Sequence, residues 1–89
     1  MRIQVKANDS NNKNKPLIIT VCNNYFKLSD AREVYRKSKT EGLQDDNVVI
    51  EIRTENEDEG EVKNTLVLGV EDAENMALTL LNISKEIKN

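Results

Sequence analysis

The residues best equipped for chemistry in this chain are carboxylates. Glu51, Glu55, Glu57, Asp58, Glu59 and Glu61 fall within one short segment, a density suited to acid/base catalysis, to a hard cation or to a basic protein surface. Acid/base work needs an apolar wall that lifts one carboxyl group toward neutrality. The segment Thr54 to Glu61 reads Thr-Glu-Asn-Glu-Asp-Glu-Gly-Glu and supplies no such wall. It also lacks the D-x-[DN]-x-[DN]-G-x₅-E order of a calcium loop. What remains is an array of negative charge offered to a partner protein with a basic surface, such as a nucleic-acid-handling protein that the chain inhibits as a decoy.

Other chemistries lack their reagents. There is no His, and Cys22 is the only cysteine, so a zinc site of the usual ligands, an internal disulfide and a His-containing triad cannot be built. Cys22 adjoins an apolar run with no base to activate it and reads as a small buried hydrophobe. Gly42, Gly60 and Gly69 are isolated turn or cap positions, not a phosphate-cradling loop. The expectation is a non-enzymatic chain that holds no metal and no cofactor.

The alternative chemistry is phosphate binding. Lys13, Lys15, Lys27, Arg32, Arg36, Lys37 and Lys39 cluster in the first half and would contact a nucleic-acid backbone if they shared a face. Tyr25 is the one aromatic available to stack on a base; Phe26 and Tyr35 are assigned to the core.

The elements that must position these groups follow from periodicity. Ile3, Val5 and Ala7 alternate with Arg2, Gln4 and Lys6, the pattern of an edge strand with one covered face. Asn8 to Lys15 carries four Asn and no apolar residue and is expected as a long hairpin loop ended by Pro16. Leu17 to Val21 is an uninterrupted run suited to a central strand or to a dimer contact. Tyr25 to Leu28 continues that strand or leads into a helix. Ser29 is the expected N-cap of this helix, whose apolar stripe is Ala31, Val34, Tyr35 and Ser38; Lys37 and Lys39 sit near its end and Gly42 stops it.

The second half repeats the plan. Val48, Ile50 and Ile52 alternate with Glu51 and Arg53, the charged segment Thr54 to Glu61 forms a hairpin tip, and a strand returns over Val62 to Gly69. Asp72 opens the last helix, in which Ala73, Met76, Ala77, Leu80, Leu81, Ser84 and Ile87 keep the 3,4 spacing and Ile83 widens the stripe.

The predicted order is strand, strand, helix, strand, strand, helix: an α+β domain with a four-stranded antiparallel sheet and both helices on one face. Residues 1–89 form one domain, and the junctions Leu28-Ser-Asp-Ala-Arg-Glu-Val34 and Val70-Glu-Asp-Ala-Glu-Asn-Met76 suggest duplication of a ββα unit over half-repeats 1–44 and 45–89, with chance as the alternative. A domain this small must draw its core from nearly all of its 37% apolar residues or from a partner subunit; a homodimer with a sheet continued through Leu17 to Val21 is one such arrangement.

Charge divides along the same line. Residues 1–44 hold nine Lys or Arg against four Asp or Glu, residues 45–89 four against twelve. This asymmetry favours orientation on a charged partner, unless the halves pack side by side and cancel. No apolar run approaches the roughly 20 residues of a membrane span, and Met1 to Lys6 lacks the apolar stretch of a leader, so a cytoplasmic location is expected. Twelve Asn with abundant Lys and Glu suggest an AT-rich bacterial or phage source, such as a mobile element. The densest charge being negative, the sequence favours a protein-binding regulator or inhibitor over a nucleic-acid binder.

Overall fold

Alternation of apolar and polar residues produces four strands, and two stretches of helical spacing produce two helices. In the computed structural model the order is β1 (Arg2–Asp9), β2 (Asn12–Asn23), α1 (Leu28–Thr40), β3 (Val48–Thr54), β4 (Val62–Leu68) and α2 (Val70–Lys88). The structure describes residues 1–55 and 62–89, with Lys13 and Lys63 described by their backbone alone. The result is a mixed α+β fold with one antiparallel sheet in the order β1-β2-β3-β4.

The first hairpin is longer than the sequence suggests. Asn8 pairs with Pro16 and Asp9 with Asn12 across a register shift, so most of the expected Asn-rich loop is strand. Backbone pairing needs no apolar side chain, and Asp9 shapes the tip locally, its Oδ1 accepting the Asn11 N–H at 2.9 Å. Pro16 is tolerated because it lies where β3 runs out, its carbonyl accepting the N–H of Glu55 at 3.0 Å.

Helix boundaries also shift. Leu28 is the first residue of α1 and Lys27 its N-cap, with no side-chain cap; Ser29 therefore lies inside the first turn. Helix α2 starts at Val70 after Gly69, before the expected Asp72. Leu28 and Val70, the paired anchors of the two similar junctions, are thus both first helical residues. Gly42, at φ 69°, stops α1 through the left-handed conformation that glycine adopts without steric cost.

Register divides the sheet into two unlike faces. Ile3 opposes Val21, Val5 opposes Ile19 and Ala7 opposes Leu17; Val21 opposes Ile50 and Ile19 opposes Ile52; Val48 opposes Leu68 and Ile50 opposes Leu66. One face therefore carries apolar residues on all four strands, with Asn23, Thr54 and Asn64 among them, and up to the register shifts it carries no charge. The other mixes Arg2, Gln4, Lys6, Thr20, Glu51, Arg53 and Thr65 with Ile18, Cys22, Val49 and Val67.

The substantial packing between elements is strand on strand. Ala31, Val34, Tyr35 and Ser38 of α1 are half-buried at the end of the sheet, while α2 beyond Ala73 is exposed along its whole length. The helical layer expected on the sheet is begun at the first turns and not completed. No apolar residue is buried among the described residues; Thr20, Asn47 and Thr54 are the buried ones. Phe26, assigned to the core from sequence, is fully exposed, and Cys22 is only half-buried. The sheet order corrects a further expectation: β2 is flanked by β1 and β3, so Leu17 to Val21 has no free edge through which to continue the sheet into a second chain.

Candidate interaction surface

Strands β2 and β4 end, and β1 and β3 begin, at the end of the sheet that carries both helices. A polar joint there fixes the helices. Asp45 Oδ2 accepts the N–H of Val70 at 2.9 Å, giving α2 a cap that its own N-cap Gly69 cannot supply. Asp45 Oδ1 accepts both the backbone N–H of Asn47, at 3.1 Å, and its Nδ2, at 2.7 Å. The same Nδ2 donates to the Ala31 carbonyl of α1 at 3.0 Å. One carboxylate and one amide thereby couple the two helices to the start of β3. Gly69 makes room for this: a Cβ there would stand 3.2 Å from Asp45 Oδ2.

Tyr25 belongs to the same joint. Its hydroxyl donates to Asp46 Oδ1 at 2.7 Å, and Asn24 donates from Nδ2 to the Asp46 carbonyl and from its backbone N–H to the Asn47 carbonyl. The hydrogen bond to Asp46 and the surrounding carboxylates raise the Tyr25 pKa by favouring the neutral phenol. The ring expected to stack on a base is engaged in holding the loop before α1.

The acidic residues do not form one described cluster. Glu51 lies on the mixed face and pairs with Arg53. Glu55, at the hairpin end of the sheet, pairs with Lys6 at 3.4 Å. Glu57, Asp58, Glu59 and Glu61 lie outside the described residues.

The basic set is divided as well. Lys27, Arg32, Arg36, Lys37 and Lys39 lie on or beside α1, whereas Lys15 belongs to the first hairpin at the other end of β2; the Lys13 side chain is outside the description. Arg36 and Lys37 both pair with Glu33, whose carboxyl is held below its ordinary range by the Arg36 guanidinium. Lys39 pairs with Glu71 at the start of α2, which raises its pKa, and stands 5.6 Å from the Tyr35 ring centroid. Lys6–Glu55 and Lys39–Glu71 join the basic first half to the acidic second half, so part of the charge asymmetry is neutralised within the chain.

Among the described residues, the apolar surfaces have no such internal partner. On α2, Met76, Leu80, Leu81, Ile83 and Ile87 share an arc with Ala73, Ala77 and Ser84 and stand open to solvent, Leu80 at 59% and Ile87 at 79% exposure. On the sheet, Ile3, Val5 and Leu66 are exposed and the other apolar residues of that face are half-buried. Two apolar hollows open at the helix end of this surface. One, of about 480 Å³, lies between Met1, Ile3, Val21 and Val48; the other, of about 300 Å³, lies between Leu28, Ala31, Tyr35, Val48 and Val70. Asn47 also borders the second hollow, and its Oδ1 is buried without a hydrogen-bond partner among the described residues.

The sequence marked the stripe of α2 and the alternating strand residues as needing cover, and left that cover either to the chain's own helices or to a partner subunit. It missed the joint of Asp45 and Asn47, because a cap supplied from 25 residues away leaves no local spacing signal. Among the described residues, no group of Cys, Asp and Glu is arranged to hold a metal ion, and no helix is long and apolar enough to cross a membrane. No protein-family model matches the chain, and no curated protein or solved structure matches it.

Proposed function

We propose that the chain is a non-enzymatic protein-binding module of the cytoplasm whose working surface is the apolar sheet face together with the stripe of α2. The observation that supports this reading is the uncovered apolar area. A compact monomer of this mass exposes about 5,300 Å², whereas this chain exposes 7242 Å². Its radius of gyration is 15.5 Å, against about 12 Å for a compact chain of this length. Exposed apolar side chains gathered on one helix stripe and one sheet face of so open a chain mark a protein contact. The charged segment Thr54 to Glu61 has a secondary role in this reading, steering approach to a basic partner surface.

The test is capture by immobilised chain from a bacterial lysate holding an untagged copy of the same chain, at about 0.15 M salt, with and without nuclease. Protein retained after nuclease and lost with Leu80→Glu, a substitution on the projecting helix, supports the reading. Retention of nucleic acid that disappears after nuclease and is indifferent to Leu80→Glu overturns it in favour of the basic α1. A variant with Glu55, Glu57, Asp58 and Glu59 changed to Lys measures the tip: slower capture is expected, with the same protein retained.

A further inference from the structure

Two surfaces of this chain are each incomplete, and they match. The sheet face carries apolar residues on four strands and, up to the register shifts, no charge, so it needs an apolar layer laid on it. Helix α2 carries an apolar stripe, uncharged from Ala73 to Ile87, and needs an apolar bed. Its 19 residues extend about 28 Å, enough to cross a sheet whose seven-residue strands β3 and β4 run about 23 Å. Within one chain they stay apart. The first turn of α2 is tied down by the Asp45 cap, by Lys39 on Glu71 and by the Tyr35 hydroxyl on Glu71 at 3.5 Å, and from this anchorage the rest of the helix projects into solvent.

We infer that a second copy of the chain supplies the missing layer: in a two-fold dimer, α2 of each protomer lies on the apolar sheet face of the other. The inference rests on the protein-binding reading and names its partner. The area agrees with it. The surplus of total surface over a compact monomer is about 2,000 Å² per chain, a ceiling of about 4,000 Å² for the pair that leaves room for the standard interface of about 1,600 Å². A two-fold axis satisfies both deficits at once, because each chain offers one helix and one face and receives the same in return. Neither surface brings a carboxylate into the contact: Glu71, Asp72, Glu74 and Glu86 fall off the stripe of α2, and Lys88, its last residue, is the one charge that falls on it. The sheet edges take no part, since the helix meets the face and not β1 or β4.

Mixed-chain cross-linking tests the geometry. One chain carries Ile50→Cys and the other Leu80→Cys, both in a Cys22→Ser background, and the two are unfolded together, refolded and treated with a short bis-maleimide. A cross-linked dimer that forms at least tenfold more in the mixture than with either chain alone is the expected result. Three results overturn the inference: cross-linking of Leu80→Cys with itself as the main product, which means helix on helix; cross-linking of Ile50→Cys with itself, which means sheet on sheet; and an intramolecular product in a chain carrying both cysteines, which means that α2 folds back on its own sheet. Circular dichroism and the solution mass of the unsubstituted chain guard against misfolded variants. An unsubstituted chain that remains monomeric overturns the second copy as partner; if Leu80→Glu still abolishes capture of a different protein, the protein-binding reading survives. Loss of both dimer and protein capture overturns both.

Discussion

The joint at the helix end of the sheet and the apolar face beside it are built on opposite principles. At the joint, Asp45 with Asn47 and Asp46 with Tyr25 hydrogen-bond at distances of 2.7 to 3.1 Å, and the Asn47 Oδ1 is the buried side-chain atom left without a partner among the described residues. On the face, Ile19, Ile50, Ile52 and their neighbours have only each other. Hydrogen bonds are short-ranged and directional, so the joint sets where α1 and α2 leave the sheet. Apolar burial is non-directional and proportional to area, and here the geometry set by the joint leaves that area open. The chain thus fixes the exits of its helices by a few polar contacts, while the apolar face beside them stays uncovered among the described residues.

That contrast can be broken first on the face. Ile50→Asp puts a carboxylate at its centre; if the face is covered, an unpaired buried charge costs at least about 3 kcal/mol, roughly a hundredfold in dissociation constant. Sedimentation velocity should then show monomer at concentrations where the unsubstituted chain is assembled. Leu80→Ala comes next. In the assembled state it should cost about 2 to 5 kcal/mol, read from urea unfolding at fixed protein concentration. If Leu80 stays as exposed as it is in the single chain, the cost remains within about 0.5 kcal/mol.

The joint should respond more weakly. Asp45→Ala removes the cap of α2 and both Asp45 contacts of Asn47, an expected loss of about 1 to 2 kcal/mol, checked by the same unfolding curve. Because the joint aims α2, this variant should also weaken assembly, whereas Leu80→Ala should leave the Tyr25–Asp46 contact untouched. The smallest effect is the titration of Tyr25. Its pKa is raised in the folded state, so the contribution of this contact is complete below the unfolded value near 10 and is lost as the pH rises through the folded value. Spectrophotometric titration should place Tyr25 lower in Asp46→Asn than in the parent.

Much of the architecture was legible because strand and helix periods are local. Ile3-Val5-Ala7, Val48-Ile50-Ile52 and Leu66-Leu68 lie in strands as their alternation requires, and Met76-Leu80-Leu81-Ile87 share a helix face. Failures came where structure depends on distant or backbone partners. The Asn-rich stretch pairs through its main chain, Ser29 yields its cap position to Lys27, and Asp45 caps a helix far along the sequence. Phe26 looked like core because it is aromatic, and the loop tied down through Tyr25 and Asn24 leaves it fully exposed. For the site, periodicity showed that the faces of the sheet and α2 require burial, but a pattern of apolar residues carries no information on which chain provides it. Charge clustering pointed to Glu51 and Glu55, which the fold brings against Arg53 and Lys6 and so partly neutralises.

The most direct test of the central claim is the solution mass of the unsubstituted chain, by sedimentation equilibrium, over a wide range of concentration with circular dichroism recorded in parallel. Covered faces predict twice the 10.1 kDa chain mass wherever the spectrum is folded, with dissociation and loss of structure occurring together on dilution. A folded species at the single-chain mass, with a melting temperature independent of concentration, would contradict the account.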